Sequence, residues 1–179
     1  MKPKTSPELA FISLGSNIDP ESYLPLAIRS LHSIGRILKT SRVYQNAAID
    51  RPEQPDFLNA AVLIQTDLQP LEIRLRLQAI EADLDRVRVE DKYAARTIDL
   101  DLCLFGDQIY HSPELTLPDP DIEQRPHLAI PLSELDPHFI HPLTHLSLGE
   151  IASRLTKNSD LSYREDVTLL IQKAAETKR

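Results

Sequence analysis

The chain has no tryptophan, one cysteine, one methionine and four glycines. A single Cys103 excludes an intrachain disulfide and any multi-cysteine zinc site. Its place in an apolar stretch marks a small buried side chain rather than a nucleophile. Gly15, Gly35, Gly106 and Gly149 belong to no Gly-x-x-x-x-Gly-Lys run. Any nucleotide phosphates would therefore be held by metals and arginines, not by a glycine-rich loop. Aromatics make up 5% of residues and the net charge is −7. Both tell against a nucleic-acid reader, which needs a basic face and stacking rings. No apolar run approaches the length, about 20 residues, that crosses a bilayer. Met1 to Glu8 carries lysines with no long apolar run after them, so a cytoplasmic setting without a signal peptide is expected. What is present is an ordinary globular composition: 179 residues, 41% apolar and 26% charged, enough for a real core.

Ile98 to Phe105 reads as a strand, ended by Gly106-Asp107. Alternation puts Ile98, Leu100, Leu102 and Leu104 on one face and Asp99, Asp101, Cys103 and Phe105 on the other. Aspartate is depleted in strands. Two on one face, about 7 Å apart at Cα, repel unless a cation sits between them. A hard divalent ion such as Mg²⁺ takes carboxylate oxygens and leaves places for phosphate. A half-exposed strand with a wet acidic face is the plainer alternative. Just upstream stand Arg86, Arg88, Lys92 and Arg96. Alone they would read as a solvated loop. Beside paired aspartates they suggest a polyphosphate site, because arginine forks onto phosphate oxygens.

The rest of the chain supplies a frame for that strand. Leu9 to Leu14 predicts a strand, ended by Gly15-Ser16-Asn17. Leu24, Ala27, Ile28 and Leu31 predict a helix from Leu24 to Ser33, with Pro25 in its first turn and Gly35 closing it. Arg36 to Tyr44 reads as a second strand, and Gln45 to Asp56 as a loop of functional length. Phe57 to Gln65 is the third strand. Leu71 to Val87 is the clearest helix, with Asp67 as its cap and Ile73, Leu77, Ile80, Leu84 and Val87 as its buried stripe. Gln78, Glu81 and Asp85 follow one edge of it. Strand–helix–strand–strand–helix–strand is the order of an α+β ferredoxin-like sandwich, a mainly antiparallel sheet backed by helices. Residues 108–110 suggest a hairpin arm, and prolines 113 to 131 an irregular stretch. A short amphipathic helix is expected at Leu146 to Leu155. Residues 1–157 would form the main domain and 158–179 a C-terminal extension. Ser162 and Glu165 have capping-box spacing there, while the β-branched Val167 to Ile171 leaves a strand open.

Taken in order, the motifs resemble the 6-hydroxymethyl-7,8-dihydropterin pyrophosphokinases of folate biosynthesis. The likeness covers Leu9 to about Leu155. It rests on Leu14-Gly15-Ser16-Asn17, Gln54-Pro55-Asp56-Phe57-Leu58-Asn59-Ala60-Ala61-Val62, the Glu81 to Arg88 stretch, Arg96-Thr97-Ile98-Asp99-Leu100-Asp101 and Leu115-Thr116-Leu117-Pro118. The resemblance implies a ferredoxin-like fold and the transfer of pyrophosphate from ATP to the pterin hydroxymethyl oxygen, leaving AMP. It implies Asp99 and Asp101 as ligands of two Mg²⁺ ions, and Arg86 and Arg96 as catalytic arginines on the phosphates. It places Gln78, Glu81, Thr116 and Arg125 with them on the nucleotide side. It places Phe57, Asn59, Tyr93, His127 and the backbone of Asn46, Ala47 and Ile49 around the pterin.

The sequence departs from the family pattern in several places. Tyr93 stands where tryptophan is usual, Ala94-Ala95 where Gly-Pro is, His127 where a second stacking aromatic is, and Asp119 where histidine is frequent. An ionised carboxylate cannot donate to phosphate, so Asp119 is expected to pair with Arg125 or to meet a ribose hydroxyl. ATP and the hydroxymethyl-dihydropterin are the expected partners, with no nucleic acid or membrane, and the expected state is a monomer. A non-catalytic pterin or nucleotide binder, an RNA-binding domain of the same topology, and a nucleotidyltransferase are the rival classes.

Overall fold

A computed structural model of the protein describes residues 6–91 and 93–176. The order of elements is β1 (Glu8–Ser16), α1 (Pro20–Leu31), β2 (Arg36–Thr40), β3 (Tyr44–Asn46), β4 (Phe57–Thr66), α2 (Pro70–Asp83), β5 (Asp99–Phe105), β6 (Tyr110–His111), β7 (Thr116–Leu117), α3 (Pro126–Leu135), α4 (Leu148–Thr156), β8 (Ser162–Tyr163) and α5 (Glu165–Glu176). A six-stranded sheet runs β5-β1-β4-β3-β8, with β2 also on β4, and β6-β7 form a separate hairpin. Every pairing in it is antiparallel. This is the ferredoxin-like α+β sandwich expected from the element order.

Each face of the sheet has its own core. One gathers Ile12, Leu14, Val62, Leu100 and Leu102 with Ile28 of α1, Leu77 of α2 and Ile171 of α5. The other gathers Phe11, Ala61, Leu63 and Cys103 with Leu132 of α3 and Ile151 of α4. The second helical layer corrects the proline-rich reading of residues 113–131. Pro126 sits in the first turn of α3, where its missing N–H costs no helical bond.

Several boundaries differ for physical reasons. α1 starts at Pro20 rather than Leu24, so Pro25 lies inside the helix. The expected second strand splits in two at Ser41, whose Oγ accepts from Ala61 N at 2.8 Å in place of a backbone carbonyl. Asp67 does not cap α2; Gln69 stands at that end and Pro70 begins the helix. α2 also stops at Asp83, because Asp85 takes a left-handed φ of 62°. Val87 is thereby thrown outward, 74% exposed, instead of completing the stripe. On β5 the alternation breaks. Register slips between Phe11 and Ile12, which face Leu104 and Leu102. This bulge sends Leu104 to the Cys103 side and Phe105 to the Leu100 side.

Candidate active site

Strand register builds the centre of the site. Gly15 on β1 stands opposite both Asn59 on β4 and Asp99 on β5, and Ser13 stands opposite Asp101. A Cβ on Gly15 would come within 3.1 Å of Asn59 Oδ1 and 4.0 Å of Phe57 Cδ1. The missing side chain keeps the floor open between the Asn59 amide and the Asp99 carboxylate.

Three cavities meet at Asp99. The first, about 250 Å³, is lined by Asn46, Ala47, Ile49, Phe57, Asn59, Tyr93 and His127, with Arg96, Arg125 and Asp99. It gathers all the side chains expected around a pterin. The second, about 300 Å³, is lined by Gln78, Glu81, Thr116 and Asp119, with Asp99 and Asp101. The third, about 180 Å³, joins them past Gly15, Asn59, Asp99, Asp101, Asp119 and His127. Of the residues expected on the nucleotide side, Arg96 and Arg125 line the first cavity rather than the second. A wider cavity of about 740 Å³ lies elsewhere, at Arg29, His32, Arg36 and Glu176, and shares none of these residues.

Two arginines converge on one carboxylate. Arg86 Nη1 donates to Asp99 Oδ1 at 3.0 Å, and Arg96 Nη1 donates to Asp99 Oδ2 at 2.8 Å. Arg86 reaches back because its N–H closes on Glu81 O at 3.0 Å, past the left-handed Asp85. Its guanidinium also donates to Ile98 O. Arg96 is held by its backbone. Its N–H donates to Asn17 Oδ1 at 2.8 Å, and its carbonyl accepts from Asn17 N and Ile18 N, both at 3.1 Å. Asn17 is 1% exposed. Its Nδ2 also donates to Gln54 Oε1 at 3.1 Å and Pro55 O at 3.2 Å. One buried amide thus ties the end of β1, the 47–56 loop and Arg96. The sequence alone assigns Asn17 no role of its own. An asparagine just after a strand-ending Gly-Ser was the available signal.

The acidic residues behave differently from one another. Glu81, 2% exposed, accepts from Leu100 N at 2.8 Å and pairs with Arg88, so it ties α2 to β5 as well as walling the cleft. Burial raises its carboxyl above the usual range, against the pull of Leu100 N–H. Asp85 turns away and accepts from Tyr23 Oη at 2.8 Å. Asp119 accepts from Asp121 N at 2.8 Å and caps the short 3₁₀ turn Pro120–Glu123. Among the described residues it makes no ion pair with Arg125; its carboxyl, raised by burial, borders the acidic cleft.

Asp101 has no hydrogen-bond donor on its carboxylate among the described residues. Surrounding protein, then the charges of Asp99, Asp119 and Glu81, push it up to about 7, although the residue keeps a water-facing surface. A carboxylate crowded by like charges favours a cation, and the oxygen donors around it suit Mg²⁺. No cluster of three His, Cys, Asp or Glu is tight enough to hold an ion among the described residues. An ion here would draw further ligands from phosphate and water, and would compete with two arginines for Asp99.

On the other side, Asn59 Nδ2 donates to Asn46 Oδ1 at 2.6 Å, and the Arg96 guanidinium lies 5.8 Å from the Phe57 ring centre. Burial, then Arg125, lowers the His127 pKa, leaving a neutral imidazole. Two loops clasp above: Arg51 pairs with Asp91 at 2.7 Å, and Gln54 Nε2 donates to Tyr93 O at 2.9 Å.

In this α+β sandwich an arginine-bound acidic strand stands between an aromatic-lined pocket and a polar cleft. The chain belongs to the 7,8-dihydro-6-hydroxymethylpterin-pyrophosphokinase family, whose profile matches residues 11–137. A 2-amino-4-hydroxy-6-hydroxymethyldihydropteridine pyrophosphokinase of Aquifex aeolicus is 34% identical over 141 residues, 78% of this chain and 88% of that protein. The Haemophilus influenzae protein of the same name is 34% identical over 136 residues, 74% of this chain and 84% of its own. Folic acid synthesis protein fol1 of Schizosaccharomyces pombe is 34% identical over 154 residues, 84% of this chain, but the chain spans only 21% of that longer protein. A Plasmodium falciparum HPPK-DHPS structure shares the fold, with a TM-score of 0.70 at 13% identity over 97% of this chain and 46% of that one. No helix among the described residues is long and apolar enough to cross a membrane.

Proposed function

We propose that the chain transfers the pyrophosphoryl group of ATP to the hydroxymethyl oxygen of 6-hydroxymethyl-7,8-dihydropterin, releasing AMP, as a step in folate biosynthesis. Membership of the family supports the reaction. In this chain the observation that carries it is a shared wall: Asp99 borders both the aromatic-lined cavity and the polar cleft. A flat ligand in one and a triphosphate in the other meet at the acidic strand. The hydroxyl oxygen attacks the β-phosphorus in line. Its new bond forms as the bond to the α–β bridging oxygen breaks, and that oxygen leaves with AMP. Positioning and charge neutralisation supply most of the acceleration.

Asp99 and Asp101 would hold two Mg²⁺ ions brought with ATP, and the ions would supply Lewis-acid neutralisation of the phosphates and polarisation of the hydroxyl. Arg86 and Arg96, now on Asp99, turn to the phosphate oxygens, with Arg125 beside them. Gln78, Glu81 and Thr116 form the nucleotide wall. Phe57 and the neutral His127 offer faces to the pterin ring, Asn59 hydrogen-bonds one edge, and the backbone of Asn46, Ala47 and Ile49 reads the other. Tyr93 closes over the ring. The working form in this proposal is a cytoplasmic monomer. Incubation with ATP, Mg²⁺ and the hydroxymethyl-dihydropterin, followed by mass spectrometry, should give AMP and pterin pyrophosphate in equal amounts. Release of inorganic pyrophosphate would mean nucleotidyl transfer, and binding of both ligands without product would mean a non-catalytic module; either result rejects the proposal.

A further inference from the structure

We propose that the C-terminal segment is a positioning element of the pterin site, with Arg164 acting through Gln45 on the strand that carries Asn46. The inference rests on the function just proposed. The family match ends at residue 137, so this segment lies beyond it. Its β8 nevertheless pairs with β3, Gln45 facing Ser162 and Tyr44 facing Tyr163. β3 is only three residues long. Without β8 it would be a short edge strand with one side unpaired.

The attachment is specific. Val43, just before β3, donates from its N–H to Thr168 Oγ1 at 2.9 Å and accepts at its carbonyl from Arg164 N at 2.9 Å. Thr168 is 2% exposed, and Val167, Ile171 and Ala174 of α5 are fully buried, in the core that α1 shares. The Arg164 guanidinium is held by Asp166 at 2.7 Å and Glu21 at 3.2 Å. From there its Nη1 donates to Gln45 Oε1 at 3.0 Å. Gln45 Nε2 in turn donates to Asp56 Oδ2 at 2.8 Å, next to Phe57. A continuous set of hydrogen bonds therefore clamps both ends of the 47–56 loop, the Asn46 end and the Phe57 end. Neither Arg164 nor Gln45 lines the aromatic cavity. Their effect on a ligand there passes through the backbone they hold. A guanidinium pinned by two carboxylates is a fixed donor, and a fixed donor sets where Gln45 and its strand lie.

The test uses the full chain with Arg164→Ala, Arg164→Lys and Gln45→Ala. Pterin affinity is read by fluorescence titration, nucleotide affinity with a non-hydrolysable ATP analogue, and KM and kcat by AMP release. Arg164→Ala should raise the pterin dissociation constant and KM about fivefold, the net scale of one ordinary hydrogen bond, because the lost bond acts on the ligand only through the strand it holds. Analogue affinity and kcat should not move. Arg164→Lys should recover most of the loss, Gln45→Ala should reproduce it, and the double variant should be no worse than either, because coupled groups are not additive. Unchanged pterin affinity in Arg164→Ala overturns the inference, as does an equal loss for pterin and nucleotide. If Arg164→Ala does not fold, Gln45→Ala carries the same comparison. If the wild-type chain binds no pterin, the proposed function fails. The brace is then judged from amide exchange at Asn46 to Ala48, where no increase in Arg164→Ala overturns it.

Discussion

Of the three cavities that meet at Asp99, the aromatic one and the polar cleft are held in opposite ways. Around the aromatic cavity, polar side chains already have protein partners: Asn59 with Asn46, Gln54 with Asn17 and Tyr93, Arg51 with Asp91. At the acidic strand that borders the polar cleft, Asp99 is shared by two arginines while the Asp101 carboxylate has no hydrogen-bond donor among the described residues. One region is shaped before its ligand arrives. The other is a charge distribution that a polyanion and its counter-ions would rearrange. A flat ligand gains from a slot that is already built, because little freedom is lost on binding. A triphosphate instead needs cations and forked donors. Variants on the two sides should therefore fail in different ways.

Asp101→Ala should do the most. Turnover should fall by about three orders of magnitude or more, corresponding to about 4 kcal/mol of transition-state stabilisation. The fold and pterin binding should remain, since one of two repelling charges has gone. Single-turnover rates with circular dichroism check this, and a near-native kcat would remove the metal-ligand role. Asn59→Ala tests the opposite side. It should weaken pterin binding about tenfold, one lost hydrogen bond plus the Asn46 group left unpaired, without touching the affinity for an ATP analogue. Calorimetry on both ligands decides, and equal losses would collapse the distinction between the two regions.

A smaller effect concerns pH. The Asp101 carboxyl is raised in the fold to about 7, so the folded protein holds a proton that the unfolded chain releases in the ordinary carboxylate range. That proton favours the folded state at low pH, and its contribution is lost as pH rises from about 4 toward 7. Metal-free Asp101→Asn should therefore be more stable than wild type above neutrality, with the difference shrinking as pH falls toward 4. Urea denaturation at pH 5 and pH 8 tests the sign, and an advantage that grows on acidification contradicts it. Smallest is the loop clasp. Arg51 and Asp91 are partly exposed, a setting where an ion pair contributes about 0–1 kcal/mol. Arg51→Ala should speed pterin release about twofold and leave nucleotide release alone. Stopped-flow fluorescence is the measurement, and an effect on the nucleotide instead would place the clasp on the wrong side.

Much of the frame was legible because it follows from periodicity. The stripe Ile73, Leu77, Ile80 and the continuous apolar run of β4 announce a helix and a buried strand without help. Boundaries set by contacts elsewhere were not. The end of α2 depends on a left-handed Asp85 that lets Arg86 return to Glu81 and Asp99. The break after β2 depends on Ser41 meeting Ala61 across the sheet. α3 was hidden by two prolines: Pro126, which its place in the first turn makes harmless, and Pro131, which the helix carries in its interior among buried residues.

The same division runs through the site. By itself the sequence determined the chemistry available: two aspartates one residue apart, arginines just before them, a Gly-Ser-Asn turn and a Phe-x-Asn pair, in an order that identifies the family. Only the tertiary structure decided that Asp99, Gly15 and Asn59 stand in one row across three strands. It also decided that Asp99 is claimed by two arginines while, among the described residues, Asp101 has no donor, and that a segment beyond the family match closes the edge beside Asn46. The reason is register. Residue types follow from the chain locally, but which residues face each other across a sheet is set by burying both cores at once, and no single stretch of sequence contains that condition.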